Sequence, residues 1–255
     1  MISTGLLLLL IGHFVGDFYL QWNKMVEEKR KSSIKYHLLH ALLYAISIAL
    51  FIIVFNEWWV ILVISVSLGA LHFGVDYLKS VINHKDHRAF LKAIIFSIDQ
   101  IIHIVLLIVA SIYLTKFNYF GQVIFEQWYA SAGFALSYNK VLLHILSYVF
   151  CLLPSCVIAR FVLDDVYGKK NISSENDDAR SGTIIGILER VIMYTFSAFF
   201  VWYEIIPVVL AAKTFARFKR FGKSGGDYFT ERYIIGTLLS TMLVGVCLIA
   251  GVFVR

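Results

Sequence analysis

The chain has 255 residues, of which 59% are hydrophobic and 16% charged, and its mean hydropathy is +0.76. An ordinary water-soluble domain could not bury so much apolar surface, so this class is excluded. The formal charge of +6 is spread over short segments between apolar runs, as the positive-inside rule expects, and does not indicate nucleic acid as a partner. The runs are continuously apolar rather than alternating, which favours an all-α integral membrane protein over a membrane β-barrel.

Apolar windows of about 20 residues, the length that crosses a bilayer as a helix, recur along the chain. They predict a bundle of about eight transmembrane helices, at 2–20, 37–55, 58–78, 94–115, 140–163, 183–203, 205–220 and 232–254. Lysine and arginine concentrate in the first and third connections and near residues 217–223. Because basic loops stay in the cytoplasm, we expect both termini outside it and a multi-pass protein of the bacterial inner membrane.

The segment 116–139 is too mixed in polarity to cross the membrane, and its Trp128 and Tyr129 are typical of a membrane interface. We expect it to connect two helical halves on the external side. The predicted organisation is a four-helix half with the candidate site (1–115), the external connection (116–139) and a C-terminal helical half (140–255).

Each of the first four predicted helices carries two ionisable residues three or four positions apart, so each pair lies on one helix face. The pairs are His13 and Asp17, His37 and His40, His72 and Asp76, and Asp99 and His103. Because successive helices run in opposite directions, all four pairs are expected at the cytoplasmic side. Imidazole and carboxylate groups on facing helices are common ligands of metal ions, so the eight residues are candidate metal ligands.

Eight groups exceed the four ligands of one tetrahedral ion. Either two ions bind, or one ion binds and the other groups orient its ligands. Three carboxylates without counter-charge would be costly in a membrane, which favours two divalent ions. We expect a transition metal, zinc in the first place, with manganese and iron as alternatives. The contrary interpretation is a set of satisfied polar contacts or a proton path.

The second half supplies positive charge at the same predicted depth, in Arg190, Lys213 and Arg217. The planar guanidinium of arginine is suited to phosphate, so the three residues are candidate substrate contacts. Alternatively, Arg190 pairs with Glu189, while the other two extend to the lipid headgroups.

The polar pairs lie within longer motifs. These are G-H-F-V-G-D-F-Y-L-Q (12–21), H-L-L-H-A-L-L-Y-A (37–45), H-F-G-V-D-Y-L-K (72–79) and D-Q-I-I-H (99–103). In them the chain resembles a bacterial membrane-protein family known only as a domain of unknown function. The second half resembles extended members of that family through G-I-L-E-R (186–190), L-A-A-K-T-F-A-R-F (210–218) and Y-I-I-G-T-L-L-S (233–240). A looser similarity to inner-membrane metal-dependent hydrolases implies hydrolytic chemistry.

The leading hypothesis is a membrane-embedded metal-dependent hydrolase that acts at the cytoplasmic leaflet on a phosphorylated or otherwise anionic amphiphile. Water activated by the metal would attack, and Asp17, Asp76 or Asp99 would accept its proton. The rival hypotheses are a transporter or channel for metal ions or protons, and a protein whose metal only fastens helices together. The apolar outer halves of the first four helices favour the enzyme.

Overall fold

The computed structural model describes residues 3–55, 57–83, 89–117, 131, 137–167, 176–221 and 226–253, to which every structural statement below refers. The long elements in these ranges are helices, as the continuous apolar runs predict. They are α1 (Thr4–Phe14), α2 (Asn23–Arg30), α3 (Ile34–Ile52), α4 (Trp58–Asn83), α5 (Ala89–Leu114), α6 (Tyr138–Leu152), α7 (Pro154–Tyr167), α8 (Asn176–Phe199), α9 (Ile205–Phe221) and α10 (Gly226–Phe253).

Six described segments are long and apolar enough to cross a membrane. They are Ile34–Ile52, Trp58–Ile82, Ile94–Leu114, Tyr138–Leu163, Gly182–Phe199 and Phe229–Val252. The bent pair Thr4–Tyr19 and Asn23–Arg30 adds a seventh if it is taken as one span. The predicted crossing at 205–220 corresponds to α9, whose 17 residues include several cations and are not among the candidate spans. The chain is a polytopic helical membrane protein.

The chain divides into two compact units, unit 1 (Met1–Val149 with Phe253–Arg255) and unit 2 (Phe150–Val252). Contacts of α6 explain why the division falls after Val149 rather than at the predicted connection. The Thr4 hydroxyl donates to Asn139 Oδ1 at 2.7 Å, and the Tyr19 hydroxyl donates to the Val149 carbonyl at 2.7 Å. Most of the predicted external connection, including Trp128 and Tyr129, lies outside the described residues.

Glycines bring the helices of unit 1 into close contact. A Cβ on Gly16 would lie 3.0 Å from Tyr44 Cδ2, and one on Gly69 would lie 2.8 Å from Ala45 Cβ. The Ser47 hydroxyl also donates to the carbonyl of residue 12 at 2.8 Å, across the α1–α3 interface. Small residues permit this approach between membrane helices, and here they draw the polar residues of α1 towards α3.

The end of α1 widens into a π-helical turn, Val15–Tyr19, closed by a hydrogen bond from Leu20 N to the Val15 carbonyl at 3.1 Å. Asp17 lies in this turn, and such turns frequently occur at functional sites. The chain then bends by 83° into α2, which buries only Met25 and Lys29. The bend therefore returns a lysine to the end of unit 1 that carries the polar residues.

Candidate metal centre

The eight ionisable residues predicted as metal ligands are all buried in unit 1, each at most 9% exposed. They come from the C-terminal end of α1 and the π-helical turn that follows it, the N-terminal part of α3, the C-terminal half of α4 and the middle of α5. The structure thus brings the four sequence pairs to one end of a helix bundle. They do not all converge on one point, and their contacts separate them into groups.

Asp17, His40 and His72 hold their ligand atoms mutually within 4.8 Å. Asp17 Oδ1 lies 3.2 Å from His40 Nε2 and 3.8 Å from His72 Nε2, and the two Nε2 atoms are 3.0 Å apart. The point equidistant from the three atoms in their plane lies about 2.0 Å from each, close to the length of zinc bonds to imidazole and carboxylate. This cluster, called the triad below, could hold one divalent ion.

Neighbouring side chains fix the orientation of the triad. The Tyr44 ring stacks on the His72 ring, with centroids 4.0 Å apart and an interplanar angle of 5°. The Gln100 amide donates to Asp17 Oδ2 at 3.2 Å, which leaves Oδ1 facing the two imidazoles. Such outer contacts set the geometry in which ligands meet a metal.

His13 lies beside the triad rather than in it. Its Nε2 is 3.4 Å from Gln100 Oε1. Because the Gln100 amide nitrogen already donates to Asp17 and, at 3.1 Å, to Asp99 Oδ2, its oxygen is the acceptor and His13 the donor. His13 therefore orients Asp17 through Gln100.

The contacts of His37 and His103 determine which ring nitrogen carries the proton when each imidazole is neutral. Nδ1 of His37 lies 2.9 Å from the carbonyl of Ser33, and Nδ1 of His103 lies 2.8 Å from the carbonyl of Asp99. A carbonyl only accepts hydrogen bonds, so in the neutral imidazole Nδ1 carries the proton and Nε2 a lone pair. Neither Nε2 has a hydrogen-bond partner within the described residues. Both are suited to bind a cation or accept a proton.

Two lysines neutralise the remaining carboxylates. Lys29 Nζ lies 2.5 Å from Asp76 Oδ2, and Lys79 Nζ lies 3.0 Å from Asp76 Oδ1 and 2.8 Å from Asp99 Oδ2. The expectation of three carboxylates without counter-charge is therefore wrong, because two ammonium groups lie among them. The charge of the carboxylates therefore does not require two metal ions, because one divalent ion would be enough to offset the negative charge that the lysines leave.

The three predicted substrate contacts belong to unit 2. Arg190 donates from Nε to the Cys151 carbonyl at 3.0 Å, from Nη1 to Ser240 Oγ at 3.2 Å and from Nη2 to Cys156 Sγ at 2.8 Å. It does not pair with Glu189, the alternative considered above. Glu189 Oε2 instead accepts from Lys213 Nζ at 2.6 Å.

Arg217 lies over an aromatic ring, with its guanidinium carbon 5.9 Å from the centroid of Phe229. Neither Arg217 nor Arg190 has a carboxylate partner among the described residues, whereas Lys213 has one. The two arginines therefore keep a positive charge that an anion could balance.

Sequence reasoning missed four residues of the site: Lys29, Lys79, Gln100 and Tyr44. Lys79 and Gln100 had local signals, since one follows Asp76 by a single helical turn and the other is a polar residue next to Asp99. Tyr44 follows His40 at helical spacing. Lys29 had no such signal, because its contact depends on the bend after α1.

Residues 6–131, which include all eight predicted ligands, match the model of a family described as "Protein of unknown function (DUF3307)". No curated protein and no solved structure matches the chain.

Proposed function

We propose that the chain, whose residues 6–131 match the model of the DUF3307 family, is a membrane-embedded metal-dependent hydrolase acting on a phosphorylated or otherwise anionic amphiphile. The observation that carries this proposal is the triad, whose three ligand atoms are 3.0–3.8 Å apart. Two imidazoles and one carboxylate form a ligand set of catalytic zinc sites, in which the fourth position is left to water or substrate.

A divalent ion in the triad would supply a Lewis acid and an activated water nucleophile. The residues around it would then hold the substrate and accept a proton. Asp76 and Asp99 are paired with lysines, and Asp17 faces the imidazoles. We add His103 to these candidate bases, because its buried Nε2 has no hydrogen-bond partner within the described residues and its ring centroid lies 4.4 Å from that of His72.

Charge at the site supports an anionic substrate. The site contains three carboxylates and two ammonium groups, which leave one net negative charge. A bound divalent ion would change this to one net positive charge. The groups are those of Asp17, Asp76, Asp99, Lys29 and Lys79. Burial makes such an excess costly unless an anion balances it. Arg190, Lys213 and Arg217, which belong to unit 2, remain proposed contacts of an anionic group on the strength of the sequence alone. Arg217 is the best supported of the three, because it has no carboxylate partner among the described residues, whereas Lys213 pairs with Glu189 and Arg190 is bound within unit 2.

The interior of unit 1 favours an enzyme over a conduction path, which would need polar groups through the membrane. Away from the candidate site, the buried side chains described in unit 1 are mostly apolar, including Leu7, Leu9, Ile11, Ile48, Ile52, Leu107 and Leu114. The buried polar residues among them are small hydroxyls such as Thr4, Ser65 and Ser111. The placement of the ionisable residues on one side of unit 1 fits a reaction at a membrane surface. We propose that this surface is the cytoplasmic leaflet of the bacterial inner membrane.

The proposal is tested by product release from liposomes that contain phosphatidic acid, phosphatidylglycerol or isoprenyl phosphate, with zinc- or manganese-loaded protein. Wild type is expected to release product from one of these lipids. His72→Ala should reduce turnover at least about 100-fold, because an incomplete ligand set cannot hold the catalytic ion. His144→Ala, which changes a histidine outside the triad, is the control.

The same assay tests the anion contact. Arg217→Gln should lower turnover about 10- to 100-fold without metal loss, and Arg217→Lys should also lower it, because lysine lacks the two-pronged donor. Arg160→Gln, at an exposed position of α7, should be neutral. A metal-loaded wild type that hydrolyses none of the lipids, but unfolds when the metal is removed, would make the metal structural and end the hydrolase proposal.

A further inference from the structure

A second pair of potential ligand atoms lies next to the Lys29 ammonium. His37 Nε2 is 3.9 Å from Asp76 Oδ2, the oxygen that Lys29 Nζ contacts at 2.5 Å. The His37 side chain is fully buried, and its Nε2 carries a lone pair without a hydrogen-bond partner in the described part of the chain. A buried lone pair beside a carboxylate is a favourable environment for a cation.

We propose that His37 and Asp76 form a second divalent-cation site, that the ammonium of Lys29 occupies it in this structure, and that Lys29 and the second ion exclude each other. This inference rests on the proposed metal site at the triad, which would bind the first ion. An imidazole nitrogen and a carboxylate oxygen are ligands for zinc, manganese and iron, with water completing the shell. Lys79 would remain on Asp76 Oδ1 and Asp99 Oδ2.

The location of Lys29 makes this exchange feasible. It lies on α2, an eight-residue helix that is bent by 83° from α1 and otherwise buries only Met25. The Gln21 amide, with its oxygen towards Lys29 Nζ, accepts from it at 2.9 Å. A lysine has a long flexible stem and can extend from a helix to the membrane surface, so its ammonium can leave while α2 stays in place. The exchange replaces one positive charge next to Asp76 by two, so Asp76 stays neutralised and the site gains one positive charge, which an anionic substrate would balance.

Metal stoichiometry tests the proposal directly. Purified full-length protein is equilibrated with buffered Zn²⁺ or Mn²⁺, and the ions per chain are measured by equilibrium dialysis and elemental analysis. At a free ion concentration at which wild type binds one ion, Lys29→Leu should bind two. The double variant Lys29→Leu with His37→Ala should return to one. Lys31→Leu is the matched control, since Lys31 is exposed and pairs only with Glu28 within the described residues.

A second measurement uses wild type alone. Acylation of lysines by a water-soluble reagent, read by peptide mass spectrometry, should be slow at Lys29 with one ion bound and several-fold faster at high metal concentration, when the second ion displaces the ammonium. Labelling of Lys31 should not change.

The outcomes separate the two proposals. If wild type binds no ion, the triad site and the second site both fail. If wild type binds one ion while folded Lys29→Leu also binds one, only the second site fails. Only the second site fails, too, if the double variant Lys29→Leu with His37→Ala still binds two ions. Where Lys29→Leu does not fold, unchanged Lys29 labelling over the full metal range overturns the second site.

Discussion

Asp17→Asn, His40→Ala and His72→Ala are each expected to reduce bound metal from one ion per chain to background. Each change removes one of three ligand atoms that lie 3.0–3.8 Å from one another, and the asparagine also removes the charge that offsets the cation. Replacement of residues that only orient metal ligands typically costs 10- to 100-fold in affinity, so loss of a ligand should cost at least about 100-fold. Elemental analysis after dialysis against a weak chelator measures the loss.

Two variants make this test specific. His144→Ala removes a histidine outside the triad and should retain the full metal content. Gln100→Leu should show an intermediate loss, because Gln100 contacts Asp17 without belonging to the triad. Retention of one ion per chain by both His40→Ala and His72→Ala would contradict the assignment of the ligands.

Arg190→Met is expected to lower the free energy of unfolding by about 3 kcal/mol. The guanidinium joins α6, α7 and α10 through three hydrogen bonds, and bonds from a charged donor contribute about 1.5–3 kcal/mol each. Part of this loss is regained, because methionine removes a charge that is costly to bury. The unfolding transition in mixed detergent micelles, followed by circular dichroism, measures the change.

Arg160→Met should unfold like wild type, since Arg160 is exposed. An unchanged transition for Arg190→Met would mean that the three bonds contribute nothing net. Gly186→Ala offers a milder version of the same test. A Cβ on Gly186 would lie 3.2 Å from Arg190 Nη1, so the guanidinium must shift. Because Arg190 is structural in unit 2, loss of activity in its variants does not by itself identify a substrate contact, and Arg217 gives the cleaner test.

Helical periodicity was sufficient to place the eight ionisable residues together. Residues three or four positions apart share a helix face, and antiparallel neighbours bring alternate helix ends to the same side. Gly12 and Gly16, which are four residues apart, lie where the chain packs closely against α3. These features depend on local spacing and chain direction, which a sequence displays.

The division of the cluster into groups could not be predicted in the same way. It depends on the bend after Leu20, which returns Lys29 to Asp76, and on the π-helical turn that carries Asp17. Both are local departures from a regular helix, whose spacing rules they break. The basic residues of loops were therefore read as topology signals alone, although Lys29 and Lys79 belong to the site.

The crossing predicted at 205–220 is not among the described segments that are long and apolar enough to span a membrane. The argument for a crossing at 205–220 came from the position of basic residues rather than from apolar length. The helix α9 has 17 residues, and its cations Lys213 and Arg217 contact groups within unit 2. Cations near the end of a helix can be satisfied by such contacts as well as by a cytoplasmic location.

X-ray absorption spectroscopy of protein loaded with one equivalent of zinc tests the central claim most directly. The triad predicts two imidazole nitrogens and at least one oxygen at about 2.0–2.2 Å, and no sulfur, because the ligands are His40, His72 and Asp17. His72→Ala should lose one imidazole from the spectrum or the ion altogether. A shell with no imidazole, or one with sulfur at about 2.3 Å, would place the metal elsewhere and contradict the account.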